Sequence, residues 1–565
     1  MGSIIKKKIK GISYYYYVES KRIDGKPKIV NQKCLGNAEK MLASAVFIDS
    51  MQQKALYSHE QDFGAVTLIY DIAQRLGIVD IINKHSAKRN QGASVGEYIL
   101  TEAINRVVAP TTTVKLQDWY QSTCLPRLTG HAPKTFTAQN FWNNTEITAE
   151  TIQHIEDDIL KVIAKEYDID LSNIIYDATN FFTYIDTMQD SELAQRGHSK
   201  EKHNDLRIVG LSLIVSPDFA IPLLHETYPG NSNDSKQFAR MMSSLKERYE
   251  GITGKNTNVT VVFDRGNNSE DNISFLEDGD FRLHYVGGLK RNQCESLFCV
   301  PLSDYRELNE NDFPEHKAYR SEFNVFGKNV IALVVYNPAL KKGQLQGINI
   351  NIEKTNAKLL DVQNRLLLRS RGEITKGKKP TVESVDAKVK KILKTEYMDT
   401  VFTYEIFEKD GCPLLTFAKS EEALTALADK ELGKTVLFTD RDDFSDEDII
   451  NAYRSVWHVE SSFKQMKDTD HLTVRPIFHW KDERIRVHIF TCVLAYRLCC
   501  LLRKELSDKG INISINKMID EIAKVKSVTT FFDVAGKTKK VETFTKGSEL
   551  SECIIEAFSL KEKYS

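Results

Sequence analysis

The sequence lacks the cysteine and histidine spacings of a zinc site. Its nine cysteines include no Cys-x-x-Cys pair, and reduced thiols are expected. There is no secretory leader at the lysine-rich N-terminus and no apolar run of about 18 residues. The most apolar helical stretch, 489–502, is short and contains Arg497, so it predicts a core helix rather than a membrane span. We therefore expect a cytosolic protein.

An excess of positive charge is also absent. The 565 residues include 77 Lys and Arg against 78 Asp and Glu, which leaves a formal net charge of −1. Binding to nucleic acid would therefore have to depend on local basic patches. A hydrophobic content of 41% and a charged content of 27% are typical of a soluble globular protein. The length is too great for one core, so several domains are expected.

The N-terminal third predicts two segments. Residues 1–40 combine a lysine run, the tyrosines of 14–17 and an Asp24-Gly25 turn signal, which favours a basic, aromatic β-hairpin. Such a hairpin could grip DNA or pack on a neighbouring domain. Residues 41–168 predict a helical domain of a size common among DNA-binding domains, and a purely structural role is equally open.

Strand patterns dominate residues 169–290, in the order β-β-β-α-β-α-β. The first strand, 172–183, carries Asp177 near its middle, where a carboxylate is disfavoured unless it caps a turn or meets a cation. The continuous apolar strand 258–263 is typical of a central parallel sheet and ends at Asp264. Acids at the carboxyl ends of such strands lie where α/β sheets place their sites.

Residues 291–435 interrupt this pattern. Strands are predicted near 322–336 and 400–417, and charged helices near 341–370 and 382–394. We expect a mainly β insertion domain with a helical arm. The core is expected to resume over 436–503. The C-terminal region, 504–565, shows no identifiable site.

The stretch 445–467 predicts one helix that begins at the acid-rich cap Ser445. At about 100° per residue, positions seven apart nearly superimpose. The residues that share a face are Tyr453, Glu460, Lys467 and, about 40° away, Trp457. Glu460 could belong to a metal or DNA site. Alternatively, the helix is an ordinary amphipathic core helix with Glu460 on its wet side and with these residues buried: Val456, Val459, Phe463 and Met466.

Asp177, Asp264 and Glu460 are the candidate catalytic residues. Three carboxylates that converge repel one another unless divalent cations lie between them. Two hard ions about 3.5–4 Å apart can then activate a nucleophile and stabilise a leaving oxygen at a phosphodiester. The sequence offers no better metal cluster.

Taken together, these motifs resemble the DDE transposases of bacterial insertion sequences. The similarity is closest to the branch whose signature is Tyr, two residues, Arg, three residues, Glu, six residues, Lys, with a β-rich insertion before the Glu. That signature maps onto Tyr453, Glu460 and Lys467, while Val456 stands at the Arg position. Three further segments also resemble this group: 197–202, 229–235 and 472–476.

The resemblance implies an α/β, ribonuclease H-like catalytic core and an endonuclease that cuts the element's ends and transfers a 3′-hydroxyl into target DNA. Asp177, Asp264 and Glu460 would hold two Mg²⁺ ions, for which Mn²⁺ can substitute. The implied partners are the terminal inverted repeats, target DNA and a second copy of the chain in a synaptic complex. A bacterial cytoplasmic protein, bound to the nucleoid through DNA, is expected. The residues expected to contact DNA are Tyr453, Arg454, Trp457, Lys464, Lys467 and Arg475.

Two rival functions remain open. One is a ribonuclease H-like nuclease or resolvase without strand transfer. The other is a non-catalytic DNA-binding relic, in which Val456 marks decay. A metal-free structural protein ranks last, because it would leave Asp177 uncompensated in an apolar strand.

Overall fold

The computed structural model describes residues 2–9, 11–23, 26–51, 55–87, 92–186, 188–203, 205–253, 258–278, 282–534 and 537–565. These residues form two compact units. The first comprises residues 1–146 and 501–565, and the second comprises residues 147–500.

The N-terminal segment is a three-stranded antiparallel sheet rather than a two-stranded hairpin. Its strands, in spatial order, are β1 (Gly2–Ile9), β2 (Ile12–Ile23) and β3 (Lys26–Asn37). A tight turn at Gly11, with φ of +84°, lets Ile9 pair with Ile12 and turns the lysine run into the extra strand. The turn predicted at Asp24-Gly25 lies outside the described residues.

Short helices make up most of the remaining N-terminal part of the first unit, as the sequence predicts. They and one strand are α1 (Ala38–Met51), β4 (Ala55–Asp62), α2 (Gly64–Arg75), α3 (Ile78–Lys84), α4 (Val95–Val108), α5 (Leu116–Gln121), α6 (Leu125–Thr129) and α7 (Ala138–Asn144). A capping box between Ser94 and Glu97 fixes the start of α4.

The second unit begins with a helix and five strands in the predicted order. The elements are α8 (Ala149–Tyr167), β5 (Asn173–Thr183), β6 (Arg207–Val215), β7 (Pro222–Pro229), α9 (Asp234–Thr253), β8 (Val259–Phe263), α10 (Glu270–Glu277) and β9 (Leu283–Gly288). Their spatial order is β7-β6-β5-β8-β9. The strand β6 is antiparallel to both of its neighbours, and the other four strands run in one direction. This is the arrangement of a ribonuclease H-like core.

The central sheet continues beyond β9 into the predicted insertion. The added elements are α11 (Glu295–Phe298), β10 (Arg306–Glu307), β11 (Lys317–Val325), β12 (Lys328–Tyr336) and later β15 (Lys434–Thr439). The strand β15 pairs with both β9 and β12, and nine strands result. The first part of the insertion is therefore continuous with the catalytic sheet.

The rest of the insertion has a hydrophobic core of its own. Its elements are α12 (Pro338–Ser370), α13 (Val382–Leu393), α14 (Met398–Val401), β13 (Phe402–Lys409), β14 (Cys412–Lys419) and α15 (Glu421–Lys430). A stripe on α12 that includes Ile348, Ile352 and Leu359 packs into this core. The strands expected here are present, but helices are the larger elements. We call residues 338–432 the helical subdomain.

The single helix predicted over 445–467 is wrong, because the chain forms two helices, α16 (Asp446–Arg454) and α17 (Val456–Met466). At the break, the Ser455 N–H is shared between the Asn451 and Ala452 carbonyls, and the His458 N–H donates to the Ser455 carbonyl at 2.9 Å, so the turn tightens to an i, i−3 pattern. Tyr453 and Glu460 therefore lie on different helices, and Lys467 follows the end of the second.

The chain ends with a long apolar helix and a small α/β region. The elements are α18 (Asp482–Asp508), α19 (Ile515–Ile522), β16 (Lys526–Val534), β17 (Lys537–Phe544), α20 (Glu549–Ala557) and α21 (Leu560–Tyr564). The helix α18 is long and apolar enough to cross a membrane, but 94% of its apolar window is buried inside the protein. This burial agrees with a core helix. The strands β17, β16 and β4, in that spatial order, form a separate three-stranded sheet.

Candidate active site

The first two candidate carboxylates are neighbours across the central sheet. The parallel strands β5 and β8 pair Tyr176 with Phe263, and Asp177 and Asp264 each follow by one residue. Adjacent strands lie about 4.8 Å apart, so this register places the two acids side by side.

Asp177 is held in a partly buried, charged environment. The Ala178 N–H donates to its Oδ1 at 2.7 Å. The pKa of Asp177 is raised to about 6, chiefly by burial; the Lys200 ammonium and the Ala178 N–H oppose this rise, and the Asp264 and Glu460 carboxylates add to it. The three candidate acids therefore interact electrostatically although they are far apart in the sequence.

Glu460 reaches this region from α17, which packs against β5. The buried face of α17 consists of Val456, Val459, Phe463 and Met466, while Glu460 is exposed. The core-helix interpretation and the site interpretation of this stretch are therefore compatible. The apolar face of α17 packs into the protein, and its exposed side presents Glu460. A cleft of about 550 Å³ is lined by Asp177, Glu460, Lys200, Lys464, Lys467 and neighbouring residues.

Tyr453 lies beside the second carboxylate. Its hydroxyl donates to Asp264 Oδ1 at 3.3 Å, from the last turn of α16. Burial raises the pKa of Tyr453, and the negative charge of Asp264 raises it further. The phenol therefore stays protonated and serves as a donor to the carboxylate.

Glu201 forms ion pairs with both Lys467 and Arg475. The Lys467 ammonium donates to Thr179 Oγ1 at 2.9 Å and lies 3.3 Å from Glu201 Oε1. Arg475 Nη1 donates to Glu201 Oε2 at 2.6 Å. Burial lowers the pKa of Lys467, an effect that Glu201 opposes and that Lys200 and Arg475 reinforce. Glu201 thus holds both Lys467, which lines the cleft, and Arg475 in place.

Two of the residues predicted to contact DNA, Arg454 and Trp457, do not line this cleft. The Arg454 guanidinium stacks on Phe313 at 4.6 Å and donates to His316 Nε2 at 3.1 Å, both in the loop before β11. Trp457 is 57% exposed, and its ring centroid lies 4.1 Å from that of His458. Val456, at the signature Arg position, is buried. No guanidinium therefore occupies that position.

Sequence reasoning missed the contributions of Lys200 and Glu201. The Lys200 ammonium donates to the Ala178 carbonyl at 2.5 Å and lines both the main cleft and a second one of about 420 Å³. Asn180 positions this loop by donating to the His198 carbonyl at 3.0 Å. The sequence signal for both residues is the segment 197–202, whose resemblance to the family does not by itself indicate what either side chain does.

The donor set of the cleft suits a hard divalent cation. Carboxylate oxygens are the ligands that Mg²⁺ prefers. Burial and, to a smaller extent, the neighbouring carboxylates raise the pKa of Asp177, and a bound cation would favour its ionised form. Within the described ranges, no three His, Cys, Asp or Glu side chains are positioned as a ready metal site. Side-chain movement would therefore have to complete any coordination.

No curated protein matches the chain. Among solved structures, a piggyBac transposase synaptic complex with hairpin DNA is similar over 83% of this chain and 82% of that one, at 9% identity and a TM-score of 0.35. A Mos1 transposase paired-end complex with the left transposon end is similar over 35% of this chain and 60% of that one, at 11% identity and a TM-score of 0.15.

A family model identifies the family. The model described as the transposase DDE domain matches residues 170–498, which is more than half of the chain. The matched segment includes Asp177, Asp264 and Glu460. Members of this family cleave and join DNA and generally use divalent metal ions. The chain therefore belongs to the DDE transposase family.

Proposed function

We propose that this protein cleaves the ends of an insertion sequence and joins their 3′-hydroxyls to target DNA. The observation that carries the proposal is the approach of Asp177, Asp264 and Glu460 beside a cleft with a cationic wall. Carboxylates and ammonium groups that line one cleft suit a phosphodiester whose reacting oxygens need divalent cations while its remaining charge needs neutralising.

The three carboxylates would hold two Mg²⁺ ions, or Mn²⁺ in their place. When bound there, the ions would supply the positive charge that activates an attacking oxygen and stabilises a leaving one. The chain's own part is to arrange the ligands. The Tyr453 hydroxyl orients Asp264, and the Ala178 N–H orients Asp177.

The cations of the cleft would hold the DNA strand. Lys464 and Lys467 line the cleft, where their ammonium groups would contact phosphate oxygens. Glu201 keeps Lys467 and Arg475 in place before DNA arrives. Trp457, with its exposed ring, would stack on a base, and Arg454 would contact DNA away from the carboxylates.

The finer assignment is to the branch with the Tyr-Arg-Glu-Lys signature, found in bacterial insertion sequences. Tyr453, Glu460 and Lys467 support it, and all three lie near the cleft or its acids. Val456 departs from it. Under this assignment the protein acts in the bacterial cytoplasm as a homodimer within a synaptic complex, with the terminal inverted repeats and target DNA as partners.

A ribonuclease H-like nuclease without strand transfer is the second candidate, because the same acids would serve hydrolysis. The test is cleavage and joining of labelled DNA that carries the element's ends, with Mg²⁺, Mn²⁺ or EDTA. The chain is compared with Glu460→Gln, which keeps the size and removes the charge. Glu422→Gln, an exposed glutamate on α15, is the matched control.

Metal-dependent joining by the native chain and the control, but not by Glu460→Gln, would support the proposal. Cleavage without joining would favour the nuclease. Equal activity in Glu460→Gln would remove this residue from catalysis. Inactivity of every variant, on ends that the protein is shown to bind, would favour a non-catalytic relic.

A further inference from the structure

The N-terminal sheet carries a concentration of charge that the chain as a whole lacks. Strands β1 to β3 hold seven lysines and one arginine against a single acid, Glu19, a net charge of +7 in a protein whose formal net charge is −1. From this sheet we propose a second DNA-binding surface, which grips the phosphate backbone of duplex DNA without reading its sequence. The proposal rests on the proposed function only for the choice of DNA as the anion.

The strand register sorts these cations onto one face. Residues paired across neighbouring strands share a face, and faces alternate along a strand. The pairs Lys6 with Tyr15, Tyr17 with Lys33 and Lys21 with Lys28 therefore lie on the same side. The lysine face consists of Lys6, Lys8, Lys21, Lys26, Lys28 and Lys33, together with Tyr15, Tyr17 and Glu19.

The opposite face is different in character. It carries Val18, which is only 2% exposed, with Ile5 and Tyr16 partly buried beside it. Lys7 is on this side, where it contacts Gln32 at 2.9 Å and lies over the Tyr16 ring. Within strands β1 to β3, the opposite face thus holds the buried Val18 and only two cations, Lys7 and Arg22, both exposed, whereas the lysine face holds six.

The lysine face is uncompensated. Among residues of the described ranges, none of the six lysines forms an ion pair with a carboxylate, and all six are exposed. Glu19, the acid on this face, accepts a hydrogen bond from Tyr17 at 3.2 Å. Repulsion among six unpaired ammonium groups favours binding of a polyanion that separates them.

The spacing suits a duplex rather than a small anion. Lys8 is paired with Ser13 and Lys26 with Ile23, so the lysines extend over ten residues of β2, or about 33 Å. This length is close to one helical turn of B-DNA, about 34–36 Å. The face can therefore contact phosphates on both sides of a groove. Tyr15 and Tyr17 supply hydroxyls that can donate to the same backbone.

The test compares two double variants with the same charge change on opposite faces. Lys6→Gln with Lys8→Gln removes two cations from the lysine face, and Lys7→Gln with Arg22→Gln removes two from the opposite face. Binding of the full chain to a labelled duplex of arbitrary sequence is measured by fluorescence anisotropy in EDTA, from about 50 to 300 mM salt. Circular dichroism checks that both variants fold.

The lysine-face variant should bind about 10- to 100-fold more weakly near 0.1 M salt, and its slope of log K against log salt should fall by about 2. The opposite-face variant should lose far less affinity, because its cations point away from the bound duplex. Equal losses in both variants, or none in the first, would overturn the proposal. So would binding to anionic phospholipid vesicles without binding to the duplex. EDTA suppresses cleavage, so a failure of the proposed enzyme activity would leave this measurement intact.

Discussion

The Tyr453 hydroxyl lies 3.3 Å from Asp264 Oδ1 and joins the helix before the break to the carboxyl end of a central strand. Tyr453→Phe removes this donor and little else. We expect at least a 10-fold loss of DNA cleavage with a nearly unchanged melting temperature, since a hydrogen bond to a charged group contributes about 1.5–3 kcal/mol. Tyr336→Phe, on β12, is the control. A normal rate in Tyr453→Phe would show that Asp264 does not need this donor.

The raised pKa of Asp177 predicts a pH dependence of stability. Because folding raises this pKa from 3.8 to about 6, its stabilising effect is complete below about pH 4 and is lost as the pH rises through 6. Asp177→Asn cannot ionise. In EDTA, the variant should therefore gain about 1–3 kcal/mol over the native chain between pH 4.5 and pH 8. Urea unfolding at both pH values measures the difference.

The exposed Asp190→Asn should show no such gain and serves as the control. If Asp177→Asn also gains nothing between the two pH values, burial and the neighbouring carboxylates do not raise the pKa of Asp177.

A buried ionic cluster around Glu156 should be essential for stability. His225 Nδ1 lies 2.8 Å from Glu156 Oε1, and Arg497 donates to the same oxygen at 2.8 Å. Burial alone would raise the pKa of Glu156, but His225, Arg497 and Arg248 lower it to about 2. Glu156→Gln leaves buried cations uncompensated and should cost about 3–5 kcal/mol of unfolding free energy near neutral pH.

Glu150→Gln, on the exposed side of the same helix, should be close to neutral in the same denaturant titration. A stable Glu156→Gln protein would mean that the cluster rearranges around a neutral side chain.

Substitution by alanine should have opposite effects on stability at two glycines, Gly230 and Gly251. A Cβ at Gly230 would lie 1.9 Å from the Ile208 carbonyl oxygen, so Gly230→Ala should destabilise the fold by about 1–3 kcal/mol or more. A Cβ at Gly251, within α9, meets nothing within 4 Å. Gly251→Ala should therefore stabilise by about 0.5–1 kcal/mol. Thermal unfolding of both variants checks the pair, and equal effects would contradict the close approach at Gly230.

Sequence patterns were sufficient for the order of the core strands and for the general position of the three acids, because hydrophobic periodicity reports burial directly. They were insufficient at Ser455, where a local change to i, i−3 backbone bonding separates two helices that periodicity predicts as one. They also missed Lys200, whose importance depends on a loop returning to Asp177. The residues around Arg454 in the sequence do not indicate its contact with Phe313, because Phe313 lies in a loop that is distant in the sequence.

The helical subdomain leaves and rejoins the sheet at adjacent points. Tyr336, at the end of β12, and Lys434, at the start of β15, are direct cross-strand partners, and the Asn337 N–H donates to the Gly433 carbonyl at 2.8 Å. A short reverse turn could close the same gap. The subdomain is therefore an exchangeable module: it can be shortened, lost or replaced during evolution or engineering without shifting the register that carries Asp264 and its neighbours.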